Sequence, residues 1–152
     1  MTEHDPLKTY FELSDELANI NTAKAAILPV PYDKTATWKK GAAYAPEAIL
    51  EASHHIESYD VVIDIEPCQW GIGTLDPVDF DGPPEELADR VDDRVAELIE
   101  RGILPVTLGG DHCISIGVIR AAARLVPNLT VLQLDTGIYI ILATQIPNCR
   151  EV

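Results

Sequence analysis

Two polar residues that follow apolar runs are the strongest candidates for chemistry in this sequence. His112 comes after the apolar run 103–108 and two glycines, and Asp135 ends a second apolar run that begins at Thr130. An imidazole and a carboxylate are suitable ligands for a divalent metal such as Mn²⁺ or Zn²⁺. The glycines permit a sharp turn that would swing the imidazole over the end of the first run. We therefore predict that His112 and Asp135 are metal ligands.

The same turn has a second interpretation. Asp111 lies just before a predicted helix, Ile114–Leu125, and Asp is a preferred N-cap residue. In that case Asp111 would cap the helix and His112 would be an ordinary turn residue. The residue types alone leave both interpretations open, and they assign no side chain a catalytic role.

Other candidate sites are weaker. Glu51 and His55 are spaced i, i+4, which allows a shared metal but is also routine on a solvated helix face. Cys113 directly follows His112, and sequence neighbours rarely reach one substrate together as a nucleophile and its base must. The segment 71–73 has two glycines but lacks the third glycine and the strand–helix context of a dinucleotide fingerprint.

The elements around the candidate ligands predict how they would meet. The run 103–108, the helix 114–125 and the run 130–135 form a βαβ pattern, which joins parallel strands by a right-handed crossover. Strands that are apolar throughout are expected to be buried on both faces. Ligands of such sheets collect at the carboxyl ends of the strands. The sequence therefore predicts an α/β fold with a mostly parallel sheet and a site at its carboxyl edge.

Further elements are predicted before this unit. The apolar spacing and the positions of Pro and Gly indicate three helices, two strands and one long loop. The helices are expected at about 7–19, 46–58 and 83–101, the strands at 24–30 and 61–65, and the loop at 71–84.

Composition excludes several classes of protein. Eleven Lys and Arg residues face 25 Asp and Glu residues, for a net charge of −14. Such a charge repels phosphate backbones and favours small cations, so we expect no nucleic-acid partner. No apolar run approaches the roughly 18 residues of a membrane span, and the first residues do not read as a signal peptide. Three cysteines without CxxC spacing are typical of a reducing compartment, so we expect a cytoplasmic protein without a membrane partner.

Two motifs resemble the ureohydrolase family of arginases and agmatinases, most of all the prokaryotic agmatinases. The first is Leu108–His112 with its helix and the run 131–135, and the second comprises 29–33 and 37–50. The resemblance covers about residues 20–135. It implies an arginase-like three-layer α/β/α fold, a binuclear Mn²⁺ site with His112 and Asp135 among its ligands, and hydrolysis of a guanidino compound such as agmatine to urea and an amine. It also implies a small cationic guanidino substrate, a role in polyamine biosynthesis, and a homo-oligomer for the full-length protein.

The resemblance ends after Asp135. The family continues Ala-His-Ala-Asp, whereas this sequence reads Thr136-Gly137-Ile138-Tyr139, and the family's later Ser-Phe-Asp-Val-Asp motif is absent. We therefore divide the chain into the N-terminal part of a ureohydrolase domain, residues 1–135, and a divergent tail, residues 136–152. The fold is expected to be incomplete and the chain inactive by itself. The alternative is a non-catalytic subunit that binds a full-length relative.

Overall fold

The computed structural model describes residues 9–134. In this part of the chain, three strands form one parallel sheet in the order β2-β1-β3. The strands are β1 (Ala25–Val30), β2 (Ile72–Thr74) and β3 (Leu104–Gly109). The α-helices are α1 (Ala45–Ser53), α2 (Pro84–Glu100) and α3 (Ile114–Leu125). Short 3₁₀ turns lie at Tyr10–Glu12, Ala42–Tyr44 and Pro67–Trp70.

Strand β1 is the centre of the sheet. Ala25 is in register with Ile72 on one side and with Leu104 on the other. The pairing with β3 continues along the whole strand as far as Val30 and Gly109. Every residue of β1 after the first is buried, as expected for a strand covered on both faces. The predicted α/β class with a parallel sheet is confirmed.

Helices α2 and α3 cover one face of this sheet. Their apolar side chains pack with Leu28 and Val30 of β1 in a single core cluster. The two helices are in close contact at Gly117, where an added Cβ would lie 2.5 Å from the Ala88 carbonyl oxygen. Gly102 follows α2 with φ of +72°, the left-handed conformation that glycine commonly adopts after a helix C-terminus. The fully or nearly buried members of the cluster are Leu28, Val30, Tyr32, Leu87, Val91, Val95, Ala96, Ile114 and Ala121.

A buried carboxylate joins the same two helices. Asp92 of α2 is 6% exposed, and it accepts hydrogen bonds from Arg120 (2.7 Å) and from Arg124 (2.8 and 3.1 Å). Burial alone would raise the pKa of Asp92, but the hydrogen bonds and charges of Arg124 and Arg120 outweigh it and lower the pKa. These ion pairs therefore add polar contacts between α2 and α3 to the apolar packing of the two helices.

The prediction of a strand at 61–65 is wrong, because these residues form a turn. Val61 and Val62 lie in a turn that is closed by one antiparallel bridge between Asp60 and Ile65. The Asp60 carboxylate accepts the backbone N–H groups of Val62 (2.8 Å) and Ile63 (3.3 Å), which offers this segment a local alternative to a sheet. The valines are consequently 80% and 87% exposed.

Three other predicted elements need correction. The loop predicted at 71–84 contains β2, a strand of three residues that includes a glycine and leaves no periodic signal. Of the helix predicted at 7–19, residues 9–19 form only a 3₁₀ turn at Tyr10–Glu12 and a second turn at 15–18, because Phe11 and Glu12 have positive φ (62° and 47°). Helix α1 ends at Ser53 rather than near Ser58.

The second strand of the predicted βαβ unit is absent from the described part of the chain. Residues 131–134 form no strand, and Leu132 and Leu134 are 69% and 85% exposed. On β3, Leu104 is 65% exposed, so the expected burial of this strand on both faces is also wrong for residues 9–134. Among the described residues, no helix has the length and apolar character needed to cross a membrane.

Candidate functional site

His112 lies at the carboxyl end of β3, as predicted. Strand β3 ends at Gly109, residues 110–113 turn, and α3 begins at Ile114. The imidazole is exposed, and the backbone carbonyl of His112 accepts the N–H of Ser115 at 3.0 Å. The turn therefore presents a histidine at the sheet edge where parallel sheets bind their ligands.

Only glycine can occupy position 110. A Cβ placed there would lie 2.2 Å from the Tyr32 carbonyl oxygen and 2.9 Å from the carbonyl carbon and oxygen of Ala42. These are backbone atoms, and they cannot move aside as a flexible side chain would. The turn after β3 is thus packed directly against the loop that follows β1, residues 31–44.

Asp111 fixes this packing by hydrogen bonds. Its carboxylate accepts both the backbone N–H and the side-chain hydroxyl of Thr35, each at 2.7 Å, and its own N–H donates to the Tyr32 carbonyl at 2.9 Å. Helix α3 has no side-chain cap, so the interpretation of Asp111 as an N-cap is wrong. Sequence reasoning missed Thr35 because the two residues are 76 positions apart and no local pattern links them.

The loop after β1 is itself closed at its base. The Asp33 carboxylate accepts the N–H of Gly41 at 2.6 Å, and the Lys40 ammonium contacts the Asp33 carbonyl. Gly41 has φ of +126°, a conformation that L side chains rarely adopt. Trp38 lies in this loop with 88% of its surface exposed. The loop and the turn together form a braced rim beside His112.

Tyr32 anchors the rim to the core. Its ring is buried in the main apolar cluster, and its hydroxyl donates a hydrogen bond to the Gly82 carbonyl at 3.0 Å. Burial is the main cause that raises the pKa of this phenol, with the Cys113 thiol and nearby carboxylates adding to it. The hydroxyl therefore stays a neutral donor near pH 7.

The described residues do not make a metal centre by themselves. In residues 9–134, no three or more His, Cys, Asp or Glu side chains are grouped so that they could hold a metal ion. The Asp111 carboxylate is directed to Thr35, which leaves His112 as one imidazole at this edge. Asp135 lies outside the described residues. The pairing of His112 with Asp135 stays a prediction, and a binuclear site does not fit the donors of residues 9–134 alone.

The other histidines of residues 9–134, and Cys113, belong to no group of metal ligands. His54 is nearly buried, and its ring contacts the Thr9 carbonyl at 2.8 Å and the Glu12 carboxylate at 3.5 Å. Glu51 and His55 are both exposed and belong to no metal-binding group in the described chain. Cys113 packs against the main apolar cluster.

The glycines at 71 and 73 serve packing. A Cβ on Gly71 would lie 3.0 Å from the Cα of Ala23, and one on Gly73 would lie 2.9 Å from the side chain of Ile20. They let the segment before β1 run closely beside β2.

Comparisons with known proteins agree with this fold. A sequence model of the Arginase family matches residues 23–136, and the chain therefore belongs to the arginase family. The N(1)-aminopropylagmatine ureohydrolase of Synechocystis sp. is 35% identical over 129 residues, which are 80% of this chain and 42% of that protein. The agmatinase of Bacillus subtilis is 28% identical over 116 residues, 74% of this chain and 39% of that protein. The chain thus spans about two fifths of the length of these relatives.

Solved structures show the same relationship. The agmatine ureohydrolase of Thermoplasma volcanium superimposes with a TM-score of 0.66 and 30% identity over 71% of this chain and 37% of that one. A Trypanosoma cruzi formiminoglutamase solved with Mn²⁺ gives a TM-score of 0.65 over 80% of this chain and 42% of that one, and at 20% identity it shows the fold alone. The predicted arginase-like α/β fold is confirmed, and the chain contains part of it.

Proposed function

We propose that this chain is the N-terminal part of a manganese-dependent ureohydrolase by descent, with His112 as a metal ligand. The observation that carries the proposal is the turn after β3, which carries His112 and is held against the loop after β1 by Gly110 and Asp111. Family membership supports it independently. When bound, Mn²⁺ would supply a water of lowered pKa and stabilise developing charge.

The proposed substrate is a small cationic guanidino compound such as agmatine or aminopropylagmatine. Both names occur among the relatives as the substrates of related ureohydrolases. A net charge of −14 attracts cations of this kind and repels polyanions. A cytoplasmic location, a homo-oligomer of the full-length protein, and the absence of nucleic-acid and membrane partners belong to the same proposal.

We expect residues 1–152 to lack turnover when they act alone. Gly137 has no side chain to coordinate a metal, and the neutral phenol of Tyr139 is a poor replacement for a carboxylate. At the carboxyl edge of the sheet the described residues contribute one exposed imidazole, that of His112, and residues 9–134 hold no cluster of metal ligands. Hydrolysis by two bridged ions needs both held at a fixed separation.

A non-catalytic binding subunit is the second candidate. Strand β3 ends the sheet formed by residues 9–134, and its Leu104 and Val106 are 65% and 36% exposed. An exposed strand with apolar side chains is a template for pairing with another chain. This candidate predicts co-purification with a full-length ureohydrolase, and it predicts no urea release by residues 1–152.

Mn²⁺ titration tests the ligand assignment. Because Mn²⁺ is paramagnetic, weak binding at His112 broadens the NMR signals of its ring. We expect calorimetry to detect no tight binding and NMR to show selective broadening at His112. The backbone amides of the turn at 110–113 should broaden as well, and this amide broadening should be lost in His112→Ala and kept in His55→Ala, the matched control at another exposed histidine. Tight binding of two ions that survives His112→Ala would contradict the proposal.

A further inference from the structure

The segment Ile56–Trp70 exposes an unusual number of large apolar side chains. Between 47% and 87% of the surface of each of these side chains is accessible, although each would be expected in a core. A contiguous exposed apolar patch is characteristic of an interaction surface. We call this segment the apolar ridge, and its exposed apolar members are Ile56, Tyr59, Val61, Val62, Ile63 and Trp70.

The apolar ridge is held in one conformation by its own hydrogen bonds. The N–H of Asp60 donates to the Ile65 carbonyl at 2.8 Å, and the N–H of Asp64 donates to the Asp60 carbonyl at 2.9 Å. The Tyr59 hydroxyl also bonds to the Asp64 carboxylate. A patch that is ordered before binding loses less conformational entropy when a partner docks.

Two clefts flank Tyr59. One has a volume of about 370 Å³ and is lined in part by Phe11, Ile56, Val61 and Cys68. The other, of about 580 Å³, is lined by residues that include Glu66 and Trp70. Clefts of this kind beside exposed aromatic rings can receive apolar side chains of a partner.

The chain segment that contains the apolar ridge is acidic. No Lys or Arg occurs between Lys40 and Arg90, whereas this stretch carries twelve carboxylates. Two copies joined ridge to ridge would bring these same carboxylates face to face, so a homo-oligomer of the full-length protein would use another surface. The occupant that the charge favours is therefore basic. The carboxylates within the ridge itself are Glu57, Asp60, Asp64 and Glu66.

We propose that the apolar ridge docks a basic amphipathic helix of another protein. The apolar face of that helix would enter the clefts beside Tyr59, and its Lys and Arg side chains would meet the four ridge carboxylates. The surface does not include His112, so this inference is independent of the proposed ureohydrolase descent.

A peptide titration tests the inference on the full 152-residue chain. The probe is a short amphipathic peptide of leucine and lysine, and Trp70 reports its binding by fluorescence in a Trp38→Phe background. We expect saturable binding that Val61→Ser/Val62→Ser weakens by about tenfold or more, as for truncated interface anchors. Both valines are exposed, so the variant is expected to fold normally.

Two controls distinguish binding at the apolar ridge from nonspecific apolar binding and from binding that does not depend on the charge of the peptide. Leu132→Ser/Leu134→Ser removes an equally exposed apolar pair elsewhere and should leave affinity within about twofold. A peptide with glutamate in place of lysine should not bind. The inference is overturned if the lysine peptide does not bind or if the two double variants bind it equally well. A wild-type dimer in light scattering that Val61→Ser/Val62→Ser dissociates would also overturn it, because the occupant would then be a second copy.

Discussion

Replacing Thr35 by valine removes one hydrogen bond from the rim beside His112. Valine keeps the β-branched shape and the backbone N–H of threonine, so the N–H bond to the Asp111 carboxylate at 2.7 Å is preserved. The hydroxyl bond to the same oxygen, also 2.7 Å long, is lost. The substitution therefore isolates one charge-assisted contact between the loop after β1 and the turn after β3.

The structure sets the size of the expected effect. A hydrogen bond to a charged group contributes about 1.5–3 kcal/mol to the free energy of unfolding. Asp111 is only 9% exposed, which places the loss in that range, but Thr35 is exposed and water can replace part of the bond. We expect Thr35→Val to lower the free energy of unfolding by about 1–2 kcal/mol, and Thr35→Ser by less than about 0.5 kcal/mol.

Urea unfolding followed by tryptophan fluorescence measures this difference. Trp38 lies three residues from Thr35 and reports the loop, while far-ultraviolet circular dichroism reports the helices. If Thr35→Val is as stable as the wild type, the hydroxyl bond contributes nothing. If Thr35→Ser is as damaging as Thr35→Val, the methyl group rather than the hydroxyl holds the rim. Either result would refute the reasoning.

Two further substitutions have expected outcomes in the same unfolding assay. Gly110→Ala should lower the free energy of unfolding by about 3 kcal/mol or more, because its Cβ overlaps backbone atoms of Tyr32 and Ala42. The control Gly102→Ala meets nothing within 4 Å but has φ of +72°, and it should lower the free energy of unfolding by about 1–2 kcal/mol. Equal losses would contradict the packing argument. Asp92→Asn should destabilise the protein near pH 7, because the pKa of Asp92 is lowered in the folded protein. Such a carboxyl stabilises the fold fully above its unfolded-state pKa of about 4. It loses that contribution as the pH falls through its lower folded-state pKa. The gap in the free energy of unfolding between wild type and Asp92→Asn should therefore close in acid. A gap independent of pH would contradict the assigned pKa direction.

The elements that could be predicted from the sequence are those with long apolar patterns. Strand β1 and helices α2 and α3 have such patterns, and each lies within about a residue of its predicted bounds. The strand predicted at 61–65 failed because Asp60 satisfies the backbone locally, a competition that β-branched side chains do not reveal. Strand β2 was missed because a strand of three residues carries too few side chains to show a period.

The candidate site divides in a similar way. The position of His112 at the end of β3 follows from a strand, two glycines and a helix that adjoin one another in the sequence. The contacts that hold it, from Asp111 to Thr35 and from Gly110 to Ala42, join segments far apart in the chain and depend on the register of β1 with β3. Asp135 lies outside the described residues, so its pairing with His112 stays a prediction.

A urea-release assay tests the central claim most directly. The 152-residue chain is incubated with Mn²⁺ and either agmatine or aminopropylagmatine, beside a blank that contains the metal without protein. We expect no urea above the blank from the wild type or from Gly137→His/Tyr139→Asp, since positioning and charge stabilisation supply most of the barrier reduction and one restored motif leaves the site incomplete. Urea release by the wild type that His112→Ala abolishes would contradict the account, because residues 1–152 would then contain a working site.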